Sequence, residues 1–263
     1  MNKLPISVCM ISGAEARRIG QALASVASWT SEIIVVLNQD VADGTDQMAA
    51  SFGARVFREP WKGHIAQKNS AMEKATQRWI LGLDADEAVS EELRDEILAL
   101  PAPFSNCAAY SFPRCTLYLG RWIRHGDWYP DRGTRLWQQG KARWVGIDPH
   151  DSLRVDGATA KLRHDLLHYS NPNISSYVLK INYFADLYLQ QQLAEKARWS
   201  AAGAIFRPAW RFVRAYFLRR GFLDGYPGFF IAASTAYSTL VRHSRLFESL
   251  QPGPPPCAPT KSP

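Results

Sequence analysis

Apolar and polar positions along the first hundred residues switch repeatedly between two periods. "ISVCMIS" (residues 6–12) is a short apolar run of strand type. "EARRIGQALASVASW" then places Ile19, Leu23 and Val26 on one helical face. "EIIVVLN" reads as a second strand, and "DGTDQMAASFG" as a helix with an acidic start and Gly53 as its stop. "ARVFRE" and "HIAQKNSAMEKATQ" repeat the pair, "RWILGLDAD" is a fourth strand, and Ser90 is placed to cap a helix over "EELRDEILAL". Strand and helix in strict alternation predict an α/β fold with a parallel sheet and helices on both faces. Ligands of such sheets bind beyond the carboxyl ends of the strands.

The pattern changes after residue 100. "AAYSFPRCTLYLG" and "TRLWQQGKARWVG" are strand-like and bounded by Gly and Pro, and the segment between them, "RWIRHGDWYPDRG", reads as a polar and aromatic loop over the site. "ISSYVLKINYFADLYLQQQLAEKAR" is a helix, and "PAWRFVRAYFLRR" is another with Pro208 near its first turn. The proline-rich end "QPGPPPCAPTKSP" is expected to be disordered. The resulting division is an α/β domain over 1–170, with a first half to about residue 100 and a second from 101, a helical region over 171–248, and a tail over 249–263.

Charge sharpens this picture. The net charge is +7, and from Arg198 to Leu250 there are eight Lys or Arg against two Asp or Glu. The excess belongs to the C-terminal helices and points to an anionic partner. Arg207, Arg211 and Arg214 share one helical face, beside Phe206, Trp210, Val213 and Phe217 on the next. Such a helix suits an anionic membrane surface, against the plainer reading of a docked helix with a solvated arginine face. The four cysteines show no CxxC or zinc spacing, the N-terminus lacks a signal-peptide core, and no apolar run reaches about 20 residues. The expected location is cytoplasmic, peripheral on the inner face of the cytoplasmic membrane.

The fourth strand ends in three acids, Asp84, Asp86 and Glu87. Asp84 and Asp86 alternate around Ala85 and suit a hard cation, Mg²⁺ or Mn²⁺, shared with a diphosphate. In isolation such a pair reads as a solvated loop capping the next helix. Its position at the ligand edge of an α/β sheet favours the metal. Arg132 and Arg135 are candidates for stabilising a leaving diphosphate, or are simple surface arginines.

These motifs together resemble family 2 glycosyltransferases of the GT-A fold, in particular bacterial lipopolysaccharide core β-1,4-glucosyltransferases. The resemblance rests on "DGT", "EPWKGHIAQKN", "WILGLDADE", "LGRWIRHGDWYPD", "RLW", "DLLHYS" and "GFLDGYPGF", spread over residues 4 to 245. It implies a nucleotide-sugar site of Ser12, Glu15, Asn38, Asp40, Lys68, Asn69, Asp84, Ala85, Asp86 and Arg135. It implies metal ligation by Asp86 and Asp84 with His150, and Asp151 as general base in place of the family's Glu; Asp127 and Asp131 are rival bases. Where the family's second strand ends in a uracil-reading Asp, this chain has Leu37, with Asn38 or Asp40 as substitutes. His125 reads as a structural or acceptor contact, and Trp122, Trp128 and Tyr129 as sugar-stacking or lid residues.

The expected activity is inverting transfer of a sugar, glucose by the resemblance, from a UDP-sugar to a lipopolysaccharide core or related envelope glycan. A polyprenyl-phosphate or other glycolipid acceptor is the nearest alternative. A sugar-nucleotide nucleotidyltransferase would need a Gly-rich basic loop that "SGAEARR" does not supply. A nucleic-acid binder would leave the acidic strand end unexplained, so no nucleic-acid partner is expected.

Overall fold

The structure is a computed structural model and describes residues 3–101, 104, 107–148, 150–169 and 173–251. The side chains of Ile147 and His150 and the tail beyond residue 251 lie outside the described set. The alternation predicted for the first hundred residues is present as β1 (Leu4–Ser12), α1 (Ile19–Ala24), β2 (Thr30–Asn38), α2 (Thr45–Ser51), β3 (Arg55–Glu59), α3 (His64–Glu73), β4 (Trp79–Gly82), β5 (Glu87–Val89) and α4 (Glu91–Leu98). Ser90 caps α4, its hydroxyl accepting from the Leu93 N–H at 3.1 Å.

Side chains on β1, β2 and β4 alternate strictly between two cores. Ile6, Val8, Met10, Ile33, Val35, Trp79 and Leu81 pack with α1, α2 and α4. Cys9, Ile34, Val36 and Ile80 face the opposite core with Ala71 of α3, Trp137 and Trp144. Fully buried side chains of this size contribute roughly 1.5–3 kcal/mol each, which fixes the register of every strand that ends at the ligand edge.

The sheet is mixed rather than wholly parallel. It continues through β6 (Ala109–Tyr118), β7 (Arg121–Ile123), β8 (Asp131–Gln138), β11 (Thr159–Lys161) and β12 (Leu166–His168). The order is β3-β2-β1-β4-β8-β6-β12-β5, with β7 and β11 also on β6. β1 to β4 pair in parallel, whereas β8 runs antiparallel to both β4 and β6. The region read as one strand over 134–146 is two, broken by a turn at Gly140, whose φ is +78°. Its second half, β9 (Ala142–Ile147), forms a separate antiparallel pair with β10 (His150–Val155). Asn69 of α3 docks this pair with both halves of its amide, donating to Trp144 O at 2.9 Å and accepting from Trp144 N at 3.0 Å.

The chain divides into two compact units. The first holds the sheet. The second takes His125–Asp127 out of the predicted loop together with the C-terminal helices. Those are α5 (Ile174–Ala194), α6 (Ala201–Val213) and α7 (Gly225–Ser249), with a π-helical turn at Arg214–Leu218 and a 3₁₀ turn at Gly221–Asp224. α6 begins at Ala201, capped by the Ser200 hydroxyl, so Pro208 lies inside the helix and not in its first turn. A proline there removes one intrahelical bond, and Pro208 and Ala204 are the buried residues of the helix.

"GFLDGYPGF" is a close backbone contact. A Cβ on Gly228 would lie 2.0 Å from Gly221 O, and one on Gly221 would lie 2.7 Å from Ala215 O. Beside it, buried Asp224 accepts from the His125 N–H at 2.8 Å and bonds His125 Nδ1 at 3.0 Å. Among the described residues no helix is long and apolar enough to cross a membrane.

Candidate active site

The turn after β4 is built around one carboxylate. Glu87 is 1% exposed. Its Oε2 accepts from the Asp84 N–H at 3.0 Å, and the Glu87 N–H donates to Asp84 O at 3.0 Å. Its Oε1 takes Arg135 of β8 at 3.0 Å and Arg114 of β6 at 3.3 Å. Arg135 also donates to Asp84 Oδ2 at 3.2 Å. A charge buried to this degree must be paired, so the turn carries its own two cations.

Protonation states follow from this packing. Burial raises the Asp84 carboxyl, but the charges of Arg135 and Lys68 outweigh it and hold the group at about 2. Burial dominates at Glu87 and leaves its carboxyl above the ordinary range despite Arg135. Burial works against the Arg135 cation, yet Glu87 and Asp84 keep it firmly protonated.

Lys68 of α3 joins the turn after β4 to the hairpin β9–β10. Its Nζ donates to Asp151 Oδ2 at 2.7 Å, lies 3.8 Å from Asp84 Oδ1, and sits 4.4 Å from the centre of the Trp144 ring. α3 starts one turn earlier at Gly63, whose φ of +91° and approach to Asp148 suit only glycine. Asp148 Oδ1 accepts from the Ile65 N–H at 3.0 Å and so caps the helix from the hairpin. A cleft of about 430 Å³ opens over these groups, lined among others by Lys68, Asp84, Asp131, Arg132, Arg135 and Asp151.

Asp86 sits on the far side of the turn. Its backbone carbonyl accepts from the Tyr169 N–H at 2.8 Å, and its Oδ2 lies 3.5 Å from His168 Nε2. Burial opposes ionisation of Asp86, but the bond from His168 and the charges around it keep its carboxyl below the ordinary range. Thr116 Oγ1, 3.2 Å from His168 Nδ1, orients the ring from the other side.

Of the residues predicted from sequence, the structure gathers Lys68, Asp84, Arg135 and Asp151 into one cluster. Ser12 and Leu37 are cross-strand partners at the carboxyl edge, with Asn38 following. Asn38 Oδ1 is buried without a hydrogen-bond partner, whereas Asp40 is exposed. Ala85 lies in the turn between the two acids. Glu15 is held by Arg18 at 2.6 Å, and its N–H donates to Thr45 Oγ1, which Asp43 of "DGT" orients at 2.6 Å. Asn69 serves the scaffold through Trp144. Arg132 donates to Leu162 O at 2.9 Å, and Asp131 is paired with Arg114 at 3.0 Å.

The remaining candidates take structural partners. Asp127 belongs to the second unit, where Arg214 at 2.8 Å, Arg219 at 3.3 Å and Arg211 at 3.5 Å surround it. Trp122 packs edge-on to Tyr169, Trp128 against Tyr118, and Tyr129 donates to Asp165 at 3.0 Å. Sequence reasoning missed Glu87 as the anchor, Arg114, and His168. The motif "DLLHYS" had drawn attention to the segment, but only the pairing of β12 with β5, which sets His168 opposite Glu87, gives the histidine a place.

Among the described residues no three His, Cys, Asp or Glu gather to hold a metal. Asp84 is engaged by two cations, and the side chain of His150 is not described. What remains is an oxygen and a nitrogen donor, Asp86 and His168. That set fits an ion completed by water and substrate phosphates, not a closed protein cage.

Comparison with known proteins decides the family. The model of glycosyl transferase family 2 matches residues 7–159. The chain belongs to glycosyl transferase family 2. A glycosyltransferase of Rickettsia felis is 30% identical over 256 residues, covering 93% of this chain and 90% of that one. The lipopolysaccharide core biosynthesis glycosyltransferase LpsC of Rhizobium meliloti is 26% identical over 94% of this chain and 93% of its own. Among solved structures, the mannosyltransferase PcManGT of Pyrobaculum calidifontis, captured with GDP-Man and Mn²⁺, superposes with a TM-score of 0.54 at 12% identity, over 95% of this chain and 89% of that one. The fold is therefore the GT-A nucleotide-sugar fold with a helical C-terminal region, as the resemblance implied.

Arg135→Met tests the charge network. Asp84, with its carboxyl lowered to about 2, adds stability above its ordinary value of 3.8 and loses it as pH falls toward 2. Glu87, raised, acts oppositely: its favourable contribution is present below 4.5 and is lost as pH rises through its folded value. Removing the cation strands both carboxylates, at a cost of about 3–5 kcal/mol at pH 7. Urea unfolding should show the deficit shrinking at pH 5, where both acids can take protons; a deficit independent of pH would mean lost packing only.

Proposed function

We propose that this family 2 enzyme is an inverting hexosyltransferase that moves a sugar, glucose being the favoured one, from a UDP-sugar to a lipopolysaccharide core or related glycolipid hydroxyl. The observation that carries this reading is the junction at Lys68, which links the acid at the end of β4 to Asp151 across one cleft. The LpsC likeness supports the acceptor class.

In this reading the acceptor oxygen forms a bond to the anomeric carbon from the side opposite the diphosphate, and the bond from that carbon to the diphosphate oxygen breaks. Asp151 takes the hydroxyl proton, with Lys68 fixing the carboxylate through Oδ2. Asn38 supports base recognition. Its unpartnered Oδ1 and its amide N–H groups match the imide N–H and carbonyls of uracil. Asp86 and His168 would hold Mg²⁺ or Mn²⁺, whose chemistry is to neutralise the diphosphate.

The second unit carries the reading of a peripheral membrane enzyme. Phe206 is 71% exposed, and Trp210, Phe217, Leu218 and Tyr226 are exposed with it. Arg211 and Arg214 pair with Asp127, so the arginine face expected from sequence has a partner of its own. The apolar side chains, not those arginines, are what a bilayer interface would take. An enzyme held on the cytoplasmic face would meet a lipid-linked acceptor there.

Three measurements test this. Asp151→Asn should lower turnover by roughly 10²–10⁴ with donor binding kept; turnover near that of the parent would remove Asp151 from the reaction. Asp86→Ala should abolish metal-dependent binding of the donor diphosphate, and unchanged binding would rule out the Asp86–His168 pair. Replacing Phe206, Trp210 and Phe217 with Ser should weaken sedimentation with anionic vesicles but spare activity on a water-soluble acceptor fragment. Vesicle binding as before would end the membrane reading.

A further inference from the structure

The first unit contains a second cleft, of about 770 Å³, larger than the one over Asp84 and of a size that admits an oligosaccharide fragment. It lies where α1, β5, α4 and the end of β12 meet, and Gln21, Ser25, Ser90, Glu91, Asp165 and Tyr169 are among its walls. The charges around it are mixed, Arg94 and Arg124 standing with Glu91, Glu92 and Asp165. Three carboxylates repel a phosphate, and two guanidiniums repel a cation. Besides the Tyr169 ring, the apolar lining is confined to Ala24, Ala88, Val89 and Leu167. That is little for the apolar groups of a lipid or a peptide. A neutral ligand rich in hydroxyl groups is what such walls suit.

Asp165 is the fixed point of this cleft. It is 8% exposed, and it accepts from Arg124 Nη1 at 2.7 Å and from the Tyr129 hydroxyl at 3.0 Å, one on each oxygen. An ionised carboxylate has about four acceptor positions, so both oxygens keep room for a ligand hydroxyl. The Arg124–Asp165 pair is set before any ligand arrives, which lowers the ordering cost of binding. Tyr169 supplies a flat surface on which the C–H face of a sugar ring can pack. Trp122 meets that ring edge-on, with 5.3 Å between the ring centres, and so fixes its plane.

The cleft borders the site already described. Asp84 lines the first cleft and Ala88 the second, and Leu166 and Leu167 divide in the same way. The Tyr169 N–H donates to Asp86 O at 2.8 Å. Leu167 and Tyr169 line the second cleft, while His168 between them lies 3.5 Å from Asp86. One residue of an extended chain spans about 3.3 Å, so the wall of this cleft stands one residue from the Asp86–His168 pair. We propose that the cleft binds neutral sugar residues of the acceptor glycan, those adjoining the residue whose hydroxyl is glycosylated. The run of sugars then crosses the 84–88 turn from one cleft to the other. This assignment rests on the glycan-acceptor reading given above.

Titration calorimetry on the full chain tests the site, with a lipid-free, dephosphorylated lipopolysaccharide core oligosaccharide as the probe. The parent protein should bind it. Ala24→Trp fills the cleft from an exposed position at the end of α1 and deletes no packed side chain. It should weaken oligosaccharide binding by about tenfold or more and leave UDP-glucose binding unchanged. Tyr169→Ala should weaken it by about tenfold, whereas Tyr169→Phe, which keeps the ring, should bind as the parent does. Equal oligosaccharide binding by the parent and Ala24→Trp overturns the site, whether or not Tyr169→Ala folds. Binding only when the oligosaccharide retains its phosphates overturns the assignment to neutral sugars. A parent that binds UDP-glucose but not the oligosaccharide overturns the cleft and leaves the transferase reading intact. A parent that holds the oligosaccharide, sensitive to Ala24→Trp, but binds no UDP-glucose supports the cleft and counts against the transferase reading.

Discussion

The Glu87 carboxylate is the constraint on which the candidate active site depends. It closes the turn after β4 through the Asp84 N–H and draws Arg135 and Arg114 in from two antiparallel strands. Without a buried anion there, Arg135 would have no reason to leave solvent, and Asp84 would be a mobile acid at a strand end. With it, three strands are tied at the point where the sheet changes from parallel to antiparallel pairing. Buried ion networks are rarely the most stable solution, since well-packed apolar residues often do better. Their value here is positional: they hold charged groups in a cleft where solvent would otherwise let them drift.

Lys68 extends the same logic across the cleft. It stands between Asp84 and Asp151 and over the Trp144 ring, so its ammonium is located from three directions. Trp144 is in turn fixed by the Asn69 amide through both of its backbone polar groups. Consecutive residues of one helix therefore do different work, Lys68 facing the cleft and Asn69 the scaffold. Among the described residues the pair β9–β10 has no strand partner in the main sheet, and its contacts with α3 include the one from Lys68 to Asp151.

The α/β half was legible because its cause is local. Period-two and helical patterns, Ser90 as a cap and Gly53 as a stop are read directly from neighbours in sequence. The antiparallel half was not, because β8, β12 and β5 are joined by pairings between distant segments that carry no short-range signature. The same difference separates the site residues. Asp84 and Asp86 announce themselves by spacing, whereas His168 becomes a partner of Asp86 only once β12 lies against β5. Pro208 misled because proline favours a first turn; the Ser200 cap upstream outweighed that preference and drew Pro208 into the helix interior.

The second unit shows what holds the residues of two sequence motifs in place. His125 and Asp127 come from a loop segment that looked poised over an active site, yet each is held by buried or basic groups of the C-terminal helices. The Gly221–Gly228 approach explains why "GFLDGYPGF" is so constrained: two backbones pass where no side chain fits. Asp224, set between those glycines, is then obliged to find a donor, and His125 supplies two, one from its backbone and one from its ring. That buried carboxylate, with the Gly126 N–H donating to Arg219 O at 2.9 Å, ties the short 125–127 segment to residues about a hundred positions later in the chain. Asp127 is the last residue of that segment and meets three arginines of the same unit. Asp151, by contrast, is located by the sheet and α3, and it lines the cleft together with Lys68, Asp84 and Arg135.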